Sequence, residues 1–120
     1  MDKQQALQSF WGSFGLPAYE ENTVDKDAEM PYITYNVITD SYENTVTLNA
    51  SLWYYSKAWK DIDRMTNAIG DFIGLAGVIT KIGGGYLWAK KGTPFAQHVA
   101  DTNDMVRRVR LTIEADFLTE

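Results

Sequence analysis

Between Thr45 and Ile73 (TVTLNASLWYYSKAWKDIDRMTNAIGDFI) the hydrophobic period changes once, at Ser56. Before it, Val46, Leu48, Ala50, Leu52 and Tyr54 alternate with Thr47, Asn49, Ser51, Trp53 and Tyr55, which predicts a strand with one apolar row against a core. After it, Trp59, Ile62, Met65, Ile69, Phe72 and Ile73 recur at spacings of three and four, the stripe of an amphipathic helix. Ser56 is the expected N-cap, its hydroxyl accepting from a first-turn amide. A long strand feeding a long amphipathic helix lays that helix across a sheet.

The flanking sequence repeats both periods on a smaller scale. Leu7, Phe10, Trp11 and Phe14 fall on one helical face, and Gly15 and Pro17 end that helix. A helix so short needs its aromatic face docked, on the sheet or on a neighbouring subunit. Residues 18–30 (AYEENTVDKDAEM) are polar, acidic and aperiodic, an exposed loop long enough for a binding role. Pro31 opens a strand over residues 32–39, a polar turn at 40–44 returns it antiparallel, and residues 78–82 and 86–90 flank Gly83-Gly84-Gly85 as a hairpin. Gly70 lies inside the helical pattern and marks either close packing or an early helix end. Residues 92–103 (GTPFAQHVADTN) form a second connection. The last strand spans residues 105–118, with Val109, Leu111, Ile113, Ala115 and Phe117 facing one way and Arg108, Arg110, Thr112, Glu114 and Asp116 the other. The predicted order is α-β-β-α-β-β-β, an α+β fold in which a mostly antiparallel sheet packs against a central helix and a short N-terminal helix. A single domain over residues 1–120 is expected, without repeats or linkers.

Composition narrows the functional classes. A formal net charge of -5 and a pI near 4.8 weigh against general nucleic-acid binding, which needs a basic footprint. The chain has no cysteine, which removes disulfide frameworks, thiolate zinc sites and cysteine nucleophiles together. Its opening (MDKQQALQSFWGSFG) lacks the apolar core of a signal peptide, and no apolar run approaches bilayer length, so action in a cytoplasm or in a particle built there is expected.

Most candidate chemistry has a plainer explanation. The glycine triplet lacks the Gly-Lys-Ser/Thr ending of a phosphate-binding loop and reads as a hairpin turn. His98, Asp101 and Asp104 have ligand-like spacing only if helical, and their segment is turn-rich. Asp25, Asp27 and Glu29 alternate like the start of a calcium loop but lack its glycine and distal glutamate. Asp61 and Asp63 suit the positive end of the helix dipole. No catalytic, cofactor-binding or metal-binding residues are therefore assigned. Two features remain. Trp53 and Tyr55 stand opposite the core row, where either the N-terminal helix covers them or they form a subunit interface. Arg107, Arg108 and Arg110 concentrate positive charge at one end of the last strand, which reads either as a solvated strand face, the commoner cause, or as a charge-complementary contact with an acidic loop of a neighbour, such as Asp25 to Glu29.

The run Pro31-Tyr32-Ile33-Thr34-Tyr35, the strand from Thr45 to Tyr55 entering the helix with Trp59, Ile62 and Ile69, and the Arg-rich strand from Arg107 to Phe117 together resemble the tail-terminator or tail-completion proteins of long-tailed bacteriophages. The resemblance extends from about Gln4 to Phe117 and rests on pattern rather than on a unique signature. It implies a non-enzymatic virion subunit, assembled in a bacterial host cytoplasm. Such a subunit forms a ring, with a hexamer expected, at the head-proximal end of the tail tube. There it contacts itself, the tail tube protein and the head-completion or connector protein. The acidic loop and the hairpin at Gly84 are the expected places of ring or tube contact. Neck, adaptor and minor tail proteins share the same size and acidity. From a different class, a small-ligand-binding α+β domain would use an aromatic pocket lined by Trp53, Trp59 or Trp88. An enzyme is the weakest reading, because the single histidine has no identifiable relay.

Overall fold

A computed structural model describes residues 3–37, 45–82 and 84–119. Within them, two helices pack against a six-stranded mixed sheet, an α+β architecture. In chain order the elements are α1 (Lys3–Gly12), β1 (Ala18–Glu20), β2 (Tyr32–Tyr35), β3 (Val46–Tyr55), α2 (Lys60–Ile73), β4 (Val78–Ile82), β5 (Gly85–Val99) and β6 (Val106–Thr119). Across the sheet the order is β1-β2-β3-β6-β5-β4, with β1 parallel to β2 and every other neighbouring pair antiparallel.

The central period change behaves as expected, with a correction at the junction. Leu48, Ala50 and Leu52 are buried, and Leu52 pairs with Val109, Ala50 with Leu111 and Leu48 with Ile113. Ile62, Ile69 and Ile73 of α2 are buried over this row, while Phe72 is exposed at the margin of the stripe. Ser56 is not the helix cap. Its hydroxyl accepts from the Ala58 amide at 3.1 Å in a turn ahead of the helix, and Trp59 occupies the N-cap without a side-chain cap bond. Asp61 and Asp63 supply the favourable charge in the first turn instead. Gly70 is a close-packing site, since a Cβ there would meet the Phe95 ring at 3.2 Å, and the helix runs on past it to Ile73.

Both helices lie on one face of the sheet. Helix α1 contacts β1 and β2, helix α2 contacts β3, β5 and β6, and the rings of Phe14 and Phe72 meet edge to face at 5.4 Å to link them. Leu7, Phe10 and Trp11 join Ile33 and Tyr35 of β2 in the same core. The N-terminal helix thus docks within its own chain, and Tyr35 donates its hydroxyl proton to Gln8 Oε1 across that contact. Burial raises the Tyr35 and Tyr54 phenols above their ordinary pKa, with the charges of Glu20 and Asp61 respectively as the smaller cause.

Three expected segments differ. The acidic stretch is not wholly loop: Ala18–Glu20 pairs parallel with Ile33 to Tyr35, adding a strand before the others, so the order is α-β-β-β-α-β-β-β. Three residues carry no readable period, which explains why the pattern missed it. Strand β2 ends at Tyr35 rather than at residue 39, and the expected turn at 40–44 lies outside the described residues. Residues 92–99 continue β5 as strand, with a register shift between Lys91 and Ala96 around a cis Thr93–Pro94 bond. Proline has no amide to donate to the ladder, so the strand bulges there and resumes pairing with β6. The connection that remains covers residues 100–105.

Candidate functional site: the open face of the sheet

Strand alternation decides which side chains reach the face opposite the helices. Pairings of Tyr32 with Trp53, Thr34 with Ser51, Trp53 with Arg108, Ser51 with Arg110 and Asn49 with Thr112 place these residues together on that face. No described helix covers it. Tyr19 follows from β1, and a row of rings crosses the strands: Tyr19 meets Tyr32 at 5.7 Å, Tyr32 meets Trp53 at 6.4 Å, and the Arg108 guanidinium lies 4.7 Å from the Trp53 ring. Tyr55, 63% exposed, stands at the end of the same strand face. Trp53 therefore does not pack under the N-terminal helix, which occupies the opposite side. Its indole instead donates to Thr34 Oγ1 at 2.9 Å.

Beside the ring row lies a polar cleft of about 300 Å³ lined by Glu21, Thr34, Asn36, Asn49, Ser51, Arg108 and Arg110. Its walls are fixed by their own bonds: Arg108 Nε donates to Ser51 Oγ at 3.0 Å, the Asn49 amide to Asn36 Oδ1 at 2.7 Å, and Thr112 Oγ1 to Asn49 Oδ1 at 3.1 Å. Arg110 is exposed and has no ion pair or hydrogen bond among the described residues. Farther along the face, Asp116 accepts from the Thr45 hydroxyl and pairs with Lys90 at 3.3 Å. The Thr45 bond first, then Lys90, holds its carboxyl below the usual carboxylate range.

The three arginines do not form one patch. Arg107 faces the helices: its Nη2 donates to the Lys57 carbonyl at 2.7 Å and Nη1 to the Asp104 carbonyl at 2.8 Å, with the guanidinium 5.3 Å from the Trp59 ring. Trp59 stacks on His98 at 3.7 Å, and His98 Nε2 lies 2.8 Å from Asp63. This cluster ties the start of α2 to the ends of β5 and β6. It also turns His98 toward Asp63 rather than toward Asp101 or Asp104. Among the described residues no three His, Cys, Asp or Glu side chains are placed to hold a metal ion.

Of the other expected positions, Asp25, Asp27 and Glu29 are exposed on the segment that connects β1 to β2. Asp25 Oδ1 accepts from the Asp27 amide at 2.9 Å and the Asp25 carbonyl from the Ala28 amide at 2.9 Å, a turn that presents Asp27 at its tip. Gly84 occupies the β4–β5 turn with φ +81° and open space around it. Trp53, Trp59 and Trp88 have separate neighbours among the described residues: Trp53 lies under Arg108, Trp59 against His98, and Trp88 donates to the Ala76 carbonyl at 3.1 Å. The sequence alone did not point to Tyr19, Tyr32, Thr34 and Asn36 as site residues. Tyr19 lies in a strand too short to show a period, and only the β1–β2, β2–β3 and β3–β6 registers bring these residues beside Trp53, Arg108 and Arg110. No family model and no curated protein matches this chain.

Proposed function

We propose that the protein is a structural assembly subunit that works through its surfaces, a tail terminator of a long-tailed bacteriophage or prophage. In that role it forms a ring on the head-proximal end of the tail tube and offers a docking surface to the head connector. One observation carries the reading: both helices cover the same side of the sheet, leaving the other face, set with Tyr19, Tyr32, Trp53, Arg108 and Arg110, without a helix upon it among the described residues. Aromatic and arginine side chains on one uncovered face are what protein contacts use. The resemblance of the Pro31 to Tyr35 run, the strand-to-helix passage and the Arg-rich last strand supplies the particular assembly. Light scattering on a size-exclusion column, with electron microscopy of the eluted species, tests it. Ring-shaped oligomers growing with concentration are expected; a strict monomer at every concentration would overturn the proposal.

A further inference from the structure

We infer that the Arg108–Arg110 cleft receives the acidic turn of a second copy of this chain, with Asp27 and Glu29 as its ligands. This deepens the assembly reading and rests on it. Charge complementarity selects the occupant. Residues 20–29 carry five acidic side chains against the single Lys26, while the cleft presents two arginines against one carboxylate, Glu21, the rest of its polar lining being neutral amide and hydroxyl groups. Within its own chain the acidic turn is only partly satisfied. Glu20 accepts from the Asn22 amide at 3.0 Å and Asp25 from Asp27, whereas the Asp27 and Glu29 carboxylates have no partner among the described residues. Arg110 is unpaired likewise, and Glu21 on the cleft rim makes no ion pair with it.

Size and geometry support side-chain insertion. A cleft of about 300 Å³ lies at the lower limit of small-ligand sites, so it takes side-chain ends rather than a folded element. Guanidinium groups bind carboxylates in planar two-bond geometry, and Ser51 already orients Arg108 through Nε. Turn and cleft are different patches of one molecule: the turn is made by residues 25–28 between β1 and β2, and the cleft lies over β2, β3 and β6 with Glu21 on its rim. A contact between them is therefore heterologous, the kind that propagates head to tail and closes into a ring when the rotation allows.

Two variants and their mixture test this. Arg110→Glu reverses the cleft, and Asp27→Lys with Glu29→Lys reverses the turn; none of these side chains makes an internal bond among the described residues. Each variant alone is expected to associate at least tenfold more weakly than the wild type by light scattering, with an unchanged circular dichroism spectrum. Mixed in equal amounts they are expected to recover wild-type association, because each cleft then faces a turn of opposite sign. Wild-type-like oligomers from each variant alone would overturn this contact while leaving self-assembly in place. Two weakened variants that stay apart on mixing would overturn it as well, and a wild type that never associates would remove both readings.

Discussion

Replacing Gly77 by alanine is expected to destabilise the fold far more than the same change at Gly84, although both glycines have positive φ, +84° and +81°. The left-handed backbone costs an alanine about 1–2 kcal/mol, and the stiffer unfolded chain offsets about 0.4–1 kcal/mol of it. Space separates the two sites. At Gly84 an added Cβ meets nothing within 4 Å, whereas at Gly77 it would stand 2.6 Å from the Ala89 carbonyl oxygen, 2.7 Å from Lys90 Cγ and 2.8 Å from Trp88 Nε1. Ala89 is paired with Val78 in the sheet, so its carbonyl retreats only if the strand shifts, an overpacking cost of about 1–3 kcal/mol. Trp88 would also be pushed off the Ala76 carbonyl. The expected losses are about 3 kcal/mol for Gly77→Ala and about 1 kcal/mol for Gly84→Ala. At an unfolding entropy of about 2.1 cal/mol/K per residue, each kcal/mol lowers Tm by about 4 °C in a chain of 120 residues. Thermal melts followed by circular dichroism should therefore fall by about 12 °C and about 4 °C. Equal shifts would refute the claim that close approach of β5, rather than backbone conformation, fixes Gly77.

Two further substitutions probe the helix side and the open face. Ile62→Ala removes a fully buried side chain between α2 and the sheet and is expected to cost about 3 kcal/mol in urea unfolding, against less than about 0.5 kcal/mol for Asn67→Ala on the exposed helix surface. Asp116 titrates below the usual range in the folded chain, so its contribution to stability is present above its unfolded pKa and disappears as pH falls through the folded value. Thr45→Ala should raise the Asp116 pKa toward 3.8 and flatten that acid-side loss; an unmoved carboxyl titration would show that the Thr45 bond is not its main cause.

Regular elements were legible where period and length were both sufficient. Strands β3 and β6, each with at least ten alternating residues, and the amphipathic α2 could be placed within a few residues. Hairpin β4–β5 was readable because its glycines announce the turn. What escaped the sequence depended on partners. Ala18–Glu20 is a strand only because Ile33 to Tyr35 lies beside it, and Pro94 hides the continuation of β5 because β6 holds the strand together across the bulge. The site was half visible for the same reason. Arg108 and Arg110 alternate with Arg107, so strand period alone separates them onto opposite faces, yet their proximity in sequence suggested one patch. Trp53 could be assigned to the outward row of β3, but not which face the N-terminal helix would cover.

If the open face is the working surface, assembly covers it, and thiol protection reports that cover because the sequence has no cysteine. Gln97→Cys places a single thiol on that face beside Arg110, and Asn67→Cys places one on the exposed side of α2. Maleimide labelling is then followed at concentrations below and above the onset of association. The expected result is labelling at position 97 slowed at least tenfold by assembly while labelling at position 67 is unchanged. Equal rates at position 97 in monomer and oligomer would contradict the claim.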